Sequence, residues 1–293
     1  MNEKKSNEKK LNENKSNQKK SNENKSHKPF SSNKVVLIKN NNLSFKNNTN
    51  FPSFKYEGGN GFDTVQFTLK PNESIRADAG AMNYMTDQIN VNTTIGSITG
   101  AIFRKFSGSS AFYNIFKNES KDDNGLISLS SILPGSVGCF YIPKGESFLL
   151  VSNSYIASTP ELEISTALKF GGFALGNGLT FVKVTAKNEA GLVWASSLGN
   201  IVPIILKPNE SISVDNGILL GFDSSVKINT RPIGGFYSTF FSGEGFVSKI
   251  KNENNQPITI YLESRSKIGY RNYIKDVAKN KKNITNLNFL DSM

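Results

Sequence analysis

The sequence is poor in the residues that most often do chemistry at an active site. Its 293 residues include one cysteine, Cys139, and one histidine, His27. A single cysteine excludes an intramolecular disulfide and a cysteine-based zinc cluster. A serine or cysteine nucleophile needs a base within reach, and the one imidazole lies in a polar segment. We therefore expect no enzyme activity, no catalytic residue and no cofactor.

Long apolar runs are missing as well. No stretch approaches the roughly 20 apolar residues that span a lipid bilayer as a helix. We therefore predict no transmembrane segment and expect a protein that is soluble or peripheral to a membrane.

The first 30 residues contain almost nothing apolar. They hold nine Lys and four Glu, with Asn and Ser making up most of the rest, and a second Asn-rich stretch extends to about residue 50. Such a segment cannot bury enough apolar surface to offset its chain entropy. Residues 1–50 are therefore predicted to be a low-complexity, mostly disordered tail, with one strand candidate at Val35–Ile38. Over half of the net charge of +11 lies at the two ends of the chain, so the folded part is only mildly basic.

From Phe51 onward the apolar residues alternate with polar ones, as in Val65, Phe67 and Leu69, and Gly, Pro and Asn separate the runs. This alternation is typical of half-buried strands, and many short strands with frequent turns favour a sandwich or barrel. We predict one all-β domain over residues 51–268. Residues 269–293 are predicted to be a polar tail or a short helix.

One motif occurs three times. Leu69–Ile75 recurs closely at Leu206–Ile212 and more loosely at Ile142–Phe148, and each copy reads as strand, turn, strand because Pro, Asn and Gly favour tight turns. A second element follows each copy at Lys117–Glu119, Lys187–Glu189 and Lys251–Glu253. Three internal repeats predict a pseudo-three-fold β structure within one compact domain.

The recurring polar and glycine residues admit a structural and a functional interpretation. Glu73, Glu146 and Glu210 could together bind a cation, but they lie at turns, where capping is the usual role, so no metal site is predicted. The glycine groups are assigned to bends and bulges; they are Gly171-Gly172, Gly176–Gly178, Gly234-Gly235 and Gly243–Gly245. Their aromatic neighbours are assigned to the core, with a membrane-dipping tip or a subunit contact as the alternative. These neighbours are Phe170, Phe173, Phe236, Tyr237, Phe240 and Phe241.

Two segments combine aromatic with basic residues, namely Phe103–Phe106 and Tyr270–Tyr273. Exposed aromatics beside Lys or Arg can stack on the bases of single-stranded nucleic acid. Composition is their only support, so a nucleic-acid partner is not expected.

Three stretches carry a resemblance to a known family. They are Leu69–Ile75 with Gly80-Ala81-Met82, then Asn153–Pro160, then Gly234–Val247 with Leu262–Arg265. In this order, over about residues 60–266, they resemble the altered inheritance of mitochondria 24 family and its uncharacterised bacterial relatives. The resemblance implies a fold similar to the tryptophan RNA-binding attenuation protein, which is a compact variant of the double-stranded β-helix or sandwich that favours rings or pseudo-trimers. It also implies a location at mitochondria and a part in organising inner-membrane complexes, without known catalysis.

We accordingly predict a non-catalytic scaffold or assembly protein of the mitochondrial-biogenesis type. Protein partners, self-association and peripheral contact with a membrane are expected. The alternative is a β module that binds RNA or a small ligand. The tail has four Glu and no Arg, unlike a mitochondrial presequence, so the cytoplasm is expected if this tail does not target the protein.

Overall fold

The computed structural model describes residues 34–38, 51–95, 112–170, 179–232 and 246–284. By its internal contacts the chain divides into two units, residues 1–31 with 45–49 and residues 32–44 with 50–293. All described residues belong to the second unit. In these ranges the chain forms antiparallel β-strands, short 3-10 turns and one α-helix, which confirms the all-β class. The tail predicted to be disordered lies mostly outside the described residues.

The strands fall into three consecutive blocks of six, preceded by β1 (Val36–Ile38) and β2 (Ser53–Glu57). The first block is β3 (Thr64–Leu69), β4 (Ser74–Asp78), β5 (Met82–Met85), β6 (Ile89–Ile95), β7 (Phe112–Asn118) and β8 (Gly125–Leu129). The middle block is β9 (Val137–Ile142), β10 (Ser147–Val151), β11 (Tyr155–Ser158), β12 (Glu163–Phe170), β13 (Leu179–Thr185) and β14 (Gly191–Ser196). The third block is β15 (Ile201–Leu206), β16 (Ser211–Asp215), β17 (Leu219–Asp223), β18 (Lys227–Pro232), β19 (Phe246–Lys251) and β20 (Ile258–Glu263). The helix α1 (Lys267–Ile284) follows.

Each block has the same order of strand pairing. Its sixth strand lies between its first and third, and its fifth lies between its second and fourth. The third strand even carries a register shift at the same place in each block, after Met82, Tyr155 and Leu219. The pairing order thus repeats along the chain, while three-fold symmetry of the whole body stays a prediction.

Neighbouring blocks are joined by one strand pair each. Strand β11 pairs with β4, and β17 pairs with β10. These joins produce a seven-stranded sheet, β1-β9-β14-β11-β4-β7-β6, and a six-stranded sheet, β12-β13-β10-β17-β20-β15. The same rule would join β5 to β16. In the described part of the chain these two strands instead end separate sheets, β2-β3-β8-β5 and β16-β19-β18.

The predicted turn chemistry is confirmed in all three copies. Asn72, Gly145 and Asn209 adopt positive φ angles of 66°, 87° and 65°. Only Gly, and less readily Asn, takes up this left-handed backbone without strain. In each copy the turn forms two backbone hydrogen bonds with one residue at the end of the fifth strand. These residues are Asn118, Ala186 and Asn252, and they are therefore equivalent in the three copies.

This alignment corrects one element of the repeat. The Lys-Asn-Glu pattern made Asn188 the equivalent of Asn118 and Asn252. The turn of the middle copy, however, forms its backbone hydrogen bonds with Ala186. In the other two copies the amide groups of Asn118 and Asn252 each donate to two backbone carbonyls. The sequence match at Asn188 was therefore wrong by two residues, because the connection to the sixth strand differs in length between copies.

The core is built from the inward faces of the strands. Strands β9, β10 and β14 are buried along their whole length. Trp194 on β14 is fully buried, and its ring contacts Phe67 and Phe54 edge-on at 4.7 and 5.1 Å between centroids. Such aromatic contacts favour one arrangement of the strands over others.

A strand from the predicted tail belongs to the folded body. Val36–Ile38 form β1 and pair with Tyr141–Cys139 on β9. Its partner β9 thereby gains an outer neighbour, as β3 does from β2. The equivalent strand of the third block, β15, has no described strand on its outer side.

Candidate functional site: open sheet edges and an anchored helix

Strand β5 presents an open edge. Among the described residues it pairs only with β8, on one side. The equivalent strands β11 and β17 are almost fully buried, whereas Met82 and Tyr84 on β5 are 41% and 47% exposed. An edge with free backbone N–H and C=O groups and exposed apolar side chains is a template for a further strand.

Strands β15 and β16 present two further edges. In the described part of the chain β16 pairs only with β19, and β15 only with β20. On β15 the side chain of Ile205 is 67% exposed, although Pro203 in the same strand has no backbone N–H to donate. The β5 and β16 edges are therefore better templates for an added strand than β15.

The repeated pairing fixes how β5 and β16 would match if they met. Ala77 lies opposite Ala157, and Leu150 lies opposite Gly221, in the two joins that exist. The corresponding residues of β5 and β16, which are not paired with each other, are Tyr84 and Val214. An antiparallel pairing of β5 with β16 would thus place Tyr84 opposite Val214.

A buried polar network anchors the start of α1. The Lys267 ammonium lies 2.7 Å from Glu263 Oε1 and donates to Ser154 Oγ at 2.6 Å. Glu263 Oε2 accepts from the backbone N–H of Leu198 at 3.2 Å. Ser154 and Glu263 lie within two of the stretches that carry the family resemblance, so the fold brings these distant motifs together.

Burial dominates the electrostatics of this network. Burial raises the pKa of the Glu263 carboxyl. The Lys267 charge and the hydrogen bonds from the Leu198 backbone N–H and the Ser154 hydroxyl act in the opposite direction. Burial lowers the pKa of the Lys267 ammonium, against the attraction of Glu263. Each charge is thus tolerated because the other is beside it.

A serine hydroxyl beside a lysine is also a known arrangement of nucleophile and base. Here Ser154 is fully buried, and Lys267 is already paired with a carboxylate. Two clefts can be described, and none of the three network residues lines either of them. The geometry fits a structural anchor between α1 and the strands better than a reaction centre.

The residues weighed as candidates in the sequence occupy structural positions. Cys139 is a free, buried thiol on β9, and burial raises its pKa well above the ordinary value, which makes it unreactive. Glu73 and Glu210 each accept a hydrogen bond at 2.7 Å from a backbone N–H of their own turn. Among the described residues no group of His, Cys, Asp or Glu is arranged to hold a metal ion, so Glu73, Glu146 and Glu210 are not gathered at one point.

Several other candidates lie outside the described residues. They are His27, the segment Phe103–Phe106, the glycine groups at 171–178 and 234–245, and the aromatic residues among those glycines. For Phe170 the backbone alone is described. Tyr270–Tyr273 is described, and it lies on the exposed surface of α1.

The larger cleft has a volume of about 440 Å³. Its wall combines apolar side chains such as Leu37 and Ile201 with the carboxylates of Glu57 and Asp63. Gly58 and Gly59 also line it, and both have positive φ angles, of 94° and 96°. A small polar ligand would fit such a volume, and the lining offers it both apolar contact and hydrogen-bond acceptors.

No helix among the described residues is both long and apolar enough to cross a lipid bilayer.

Comparison with known proteins defines the class. The family model described as "Mitochondrial biogenesis AIM24" matches residues 54–265. The chain therefore belongs to this family, as the sequence motifs predicted.

Two bacterial proteins are similar to this chain. An uncharacterised protein of Streptococcus pyogenes serotype M6 is 23% identical over 211 residues, which are 69% of this chain and 82% of the relative. An X-ray crystal structure of a Streptococcus pyogenes protein superposes with a TM-score of 0.61 at 20% identity. It covers 78% of this chain and all of the other, and it shows the fold alone.

Sequence reasoning missed the open edges and the buried network. The edges depend on which strands become neighbours, and no local pattern encodes that. The network did have a signal: Glu263 and Lys267 are four residues apart where strand gives way to helix, but nothing local shows that they are buried.

Proposed function

We propose that the protein is a non-catalytic scaffold or assembly protein of the mitochondrial-biogenesis type. It holds protein chains, including further copies of itself, at the open edges of its sheets. In this way it helps to organise or maintain inner-membrane complexes. The observation that carries the proposal is the pair of open edges β5 and β16, whose equivalents are all paired within the chain.

The exposed side chains support this interpretation. Edge strands in natural monomers are usually shielded by charges, prolines, bulges or covering loops. Met82–Met85 contains no charged residue and no proline, and Met82 and Tyr84 are exposed. The register shift after Met82 also occurs in β11 and β17, and it does not prevent those strands from pairing on both sides. Such an edge favours β-augmentation, in which a strand of another chain extends the sheet.

Self-association is tested by light scattering over a range of protein concentrations. Met82→Lys places a charge on the β5 edge and should lower the mass towards that of a single chain. Ile132→Lys is the matched control, because Ile132 is 96% exposed and lies outside every strand. A single-chain mass for the wild type at all concentrations would contradict self-association.

The mitochondrial part of the proposal rests on family membership. It is tested by localising the full chain with a carboxy-terminal tag. A signal confined to mitochondria is expected, and a purely cytosolic signal would contradict this part alone. Native co-purification then identifies the partners, and Met82→Lys should release those that bind through β5.

A second candidate function is the binding of a small polar ligand in the 440 Å³ cleft. Asp63→Asn would weaken such binding if the ligand is cationic. Asp63 Oδ2 also accepts a hydrogen bond from the backbone N–H of Val137, so the variant's unfolding midpoint serves as the control for a merely structural effect.

A further inference from the structure

The described contacts that hold α1 to the strands include a buried anchor at its beginning, at Lys267. Ser266 caps the helix, with Oγ accepting from the N–H of Gly269 at 3.1 Å and its carbonyl accepting from the N–H of Tyr270 at 2.9 Å. Lys267 is buried in the network with Glu263. From Gly269 to Ala278 every residue is exposed. The helix therefore offers an accessible surface to a partner.

That surface carries an apolar stripe. Tyr270, Tyr273, Ile274 and Val277 are 39%, 64%, 46% and 48% exposed. Their spacing of three, four and seven residues places them on one face of a helix. A residue every 1.5 Å makes this stripe about 10 Å long. Two exposed tyrosines beside two exposed aliphatic side chains form a face that has no described cover.

Basic residues accompany the stripe. Arg271 and Lys275 are both exposed and lie one turn apart beside it. The sequence of the helix continues with Lys279, Lys281 and Lys282, and its only acidic residue is Asp276. The buried Lys267 is neutralised by Glu263, so the helix presents a net positive charge to its surroundings.

We propose that this face of α1 binds the surface of a membrane that contains anionic lipid. The aliphatic and tyrosine side chains enter the headgroup boundary, and the basic residues contact the lipid phosphates. Amphipathic helices with aromatic or aliphatic residues on one face and Lys or Arg beside them bind membranes in this way. The buried anchor at Lys267 fixes the body of the protein close to the bilayer.

Charge decides between the alternative occupants. Two copies of α1 packed against each other would bring like charges together, which disfavours a helix pair. Nucleic acid would use Arg271 and the tyrosines, yet it would leave Ile274 and Val277 without a role. A lipid surface uses both the charge and the aliphatic residues.

The test is co-sedimentation of the full chain with vesicles. One set consists of phosphatidylcholine alone, and the other of phosphatidylcholine mixed with phosphatidylserine. Binding is expected to the mixed vesicles only, and it should weaken as salt is raised, because anionic headgroups attract the basic residues electrostatically.

Three variants separate α1 from the basic N-terminal tail, which also carries positive charge. R271Q/K275Q removes two basic residues worth about 1 kcal/mol each at an anionic surface and should lower the partition coefficient about thirty-fold. I274S/V277S leaves the charge unchanged and should also lower it. D276N removes the one acidic residue and should raise it. K144Q/K207Q is the matched control, since it removes two exposed lysines from turns of the β-sheets and should behave as the wild type.

Equal binding by the wild type and I274S/V277S would overturn the proposal, because attraction through the tail or other charges would then suffice. Retention of single-stranded RNA that R271Q/K275Q abolishes, without vesicle binding, would overturn it in favour of nucleic acid. A lower mass for I274S/V277S in light scattering, without vesicle binding, would show that a second copy covers the stripe. None of these outcomes depends on the β5 and β16 edges, so this proposal and the proposed function fail separately.

Discussion

The ammonium group of Lys267 and the carboxylate of Glu263 are 2.7 Å apart inside the protein, with side chains 8% and 0% exposed. Lys267 is the first residue of α1, and Glu263 is the last residue of β20. The pair therefore ties the helix to the sheet at the point where the chain changes from strand to helix.

Removing one partner of this pair should be costly. Lys267→Met leaves the Glu263 carboxylate buried without its counter-ion and should lower the free energy of unfolding by about 3–5 kcal/mol. The double variant K267M/E263L should recover most of the loss, because it leaves no buried charge. Urea unfolding of the four proteins in a double-mutant cycle measures the coupling. Additive losses would contradict a coupled pair.

The exposed pair Lys227–Glu253, whose charged atoms are also 2.7 Å apart, is the control. Lys227→Met should change the free energy of unfolding little.

The same two pairs predict opposite responses to pH. Burial raises the pKa of Glu263, so the folded state holds the proton more firmly than the unfolded chain. The contribution of this carboxyl to the free energy of unfolding is fully present below its ordinary pKa. It is lost as the pH rises through the raised pKa of the folded state. The hydrogen bond from Lys227 lowers the pKa of Glu253, so its contribution is lost as pH falls through the lowered value.

Urea midpoints of the wild type, E263Q and E253Q over the acidic to neutral range check both signs. The wild type should lose stability at Glu263 as the pH rises, and E263Q should abolish this loss. The wild type should also lose stability at Glu253 as the pH falls, and E253Q should abolish that loss. Parallel profiles for the wild type and E263Q would show that this carboxyl has the same pKa in both states.

Asn118 and Asn252 should contribute equally to two copies of the repeat. Each is fully buried, and each side chain donates to two backbone carbonyls and accepts from one backbone N–H. Asn118→Ala or Asn252→Ala removes the donor to the buried carbonyl of Leu69 or Leu206 and should cost about 1–3 kcal/mol. Asn188→Ala should change little, because Asn188 is exposed. A loss at Asn188 as large as at Asn118 would contradict the corrected alignment of the middle copy.

The parts of the fold that local chemistry determines could be predicted from the sequence. Alternation predicted β3, and the Pro-Asn signals predicted the turns at Asn72 and Asn209. Long-range neighbours could not be predicted. The order of strand pairing makes Met82–Met85 equivalent to Tyr155–Ser158, yet of these two strands only the latter has a neighbour on each side in the described chain. The burial of Lys267 also depends on Ser154, which is more than 100 residues away along the chain.

The most direct test of the assembly proposal is disulfide cross-linking of Y84C/V214C. The native Cys139 is buried on β9 and should not interfere. If β5 of one copy pairs with β16 of the next, oxidation should yield dimers and higher multiples on a non-reducing gel. Y84C/S213C is the register control and should cross-link poorly, because neighbouring residues of a strand point to opposite faces. Monomers whose two new cysteines are linked within one chain, or reduced monomers alone, would contradict assembly through these edges.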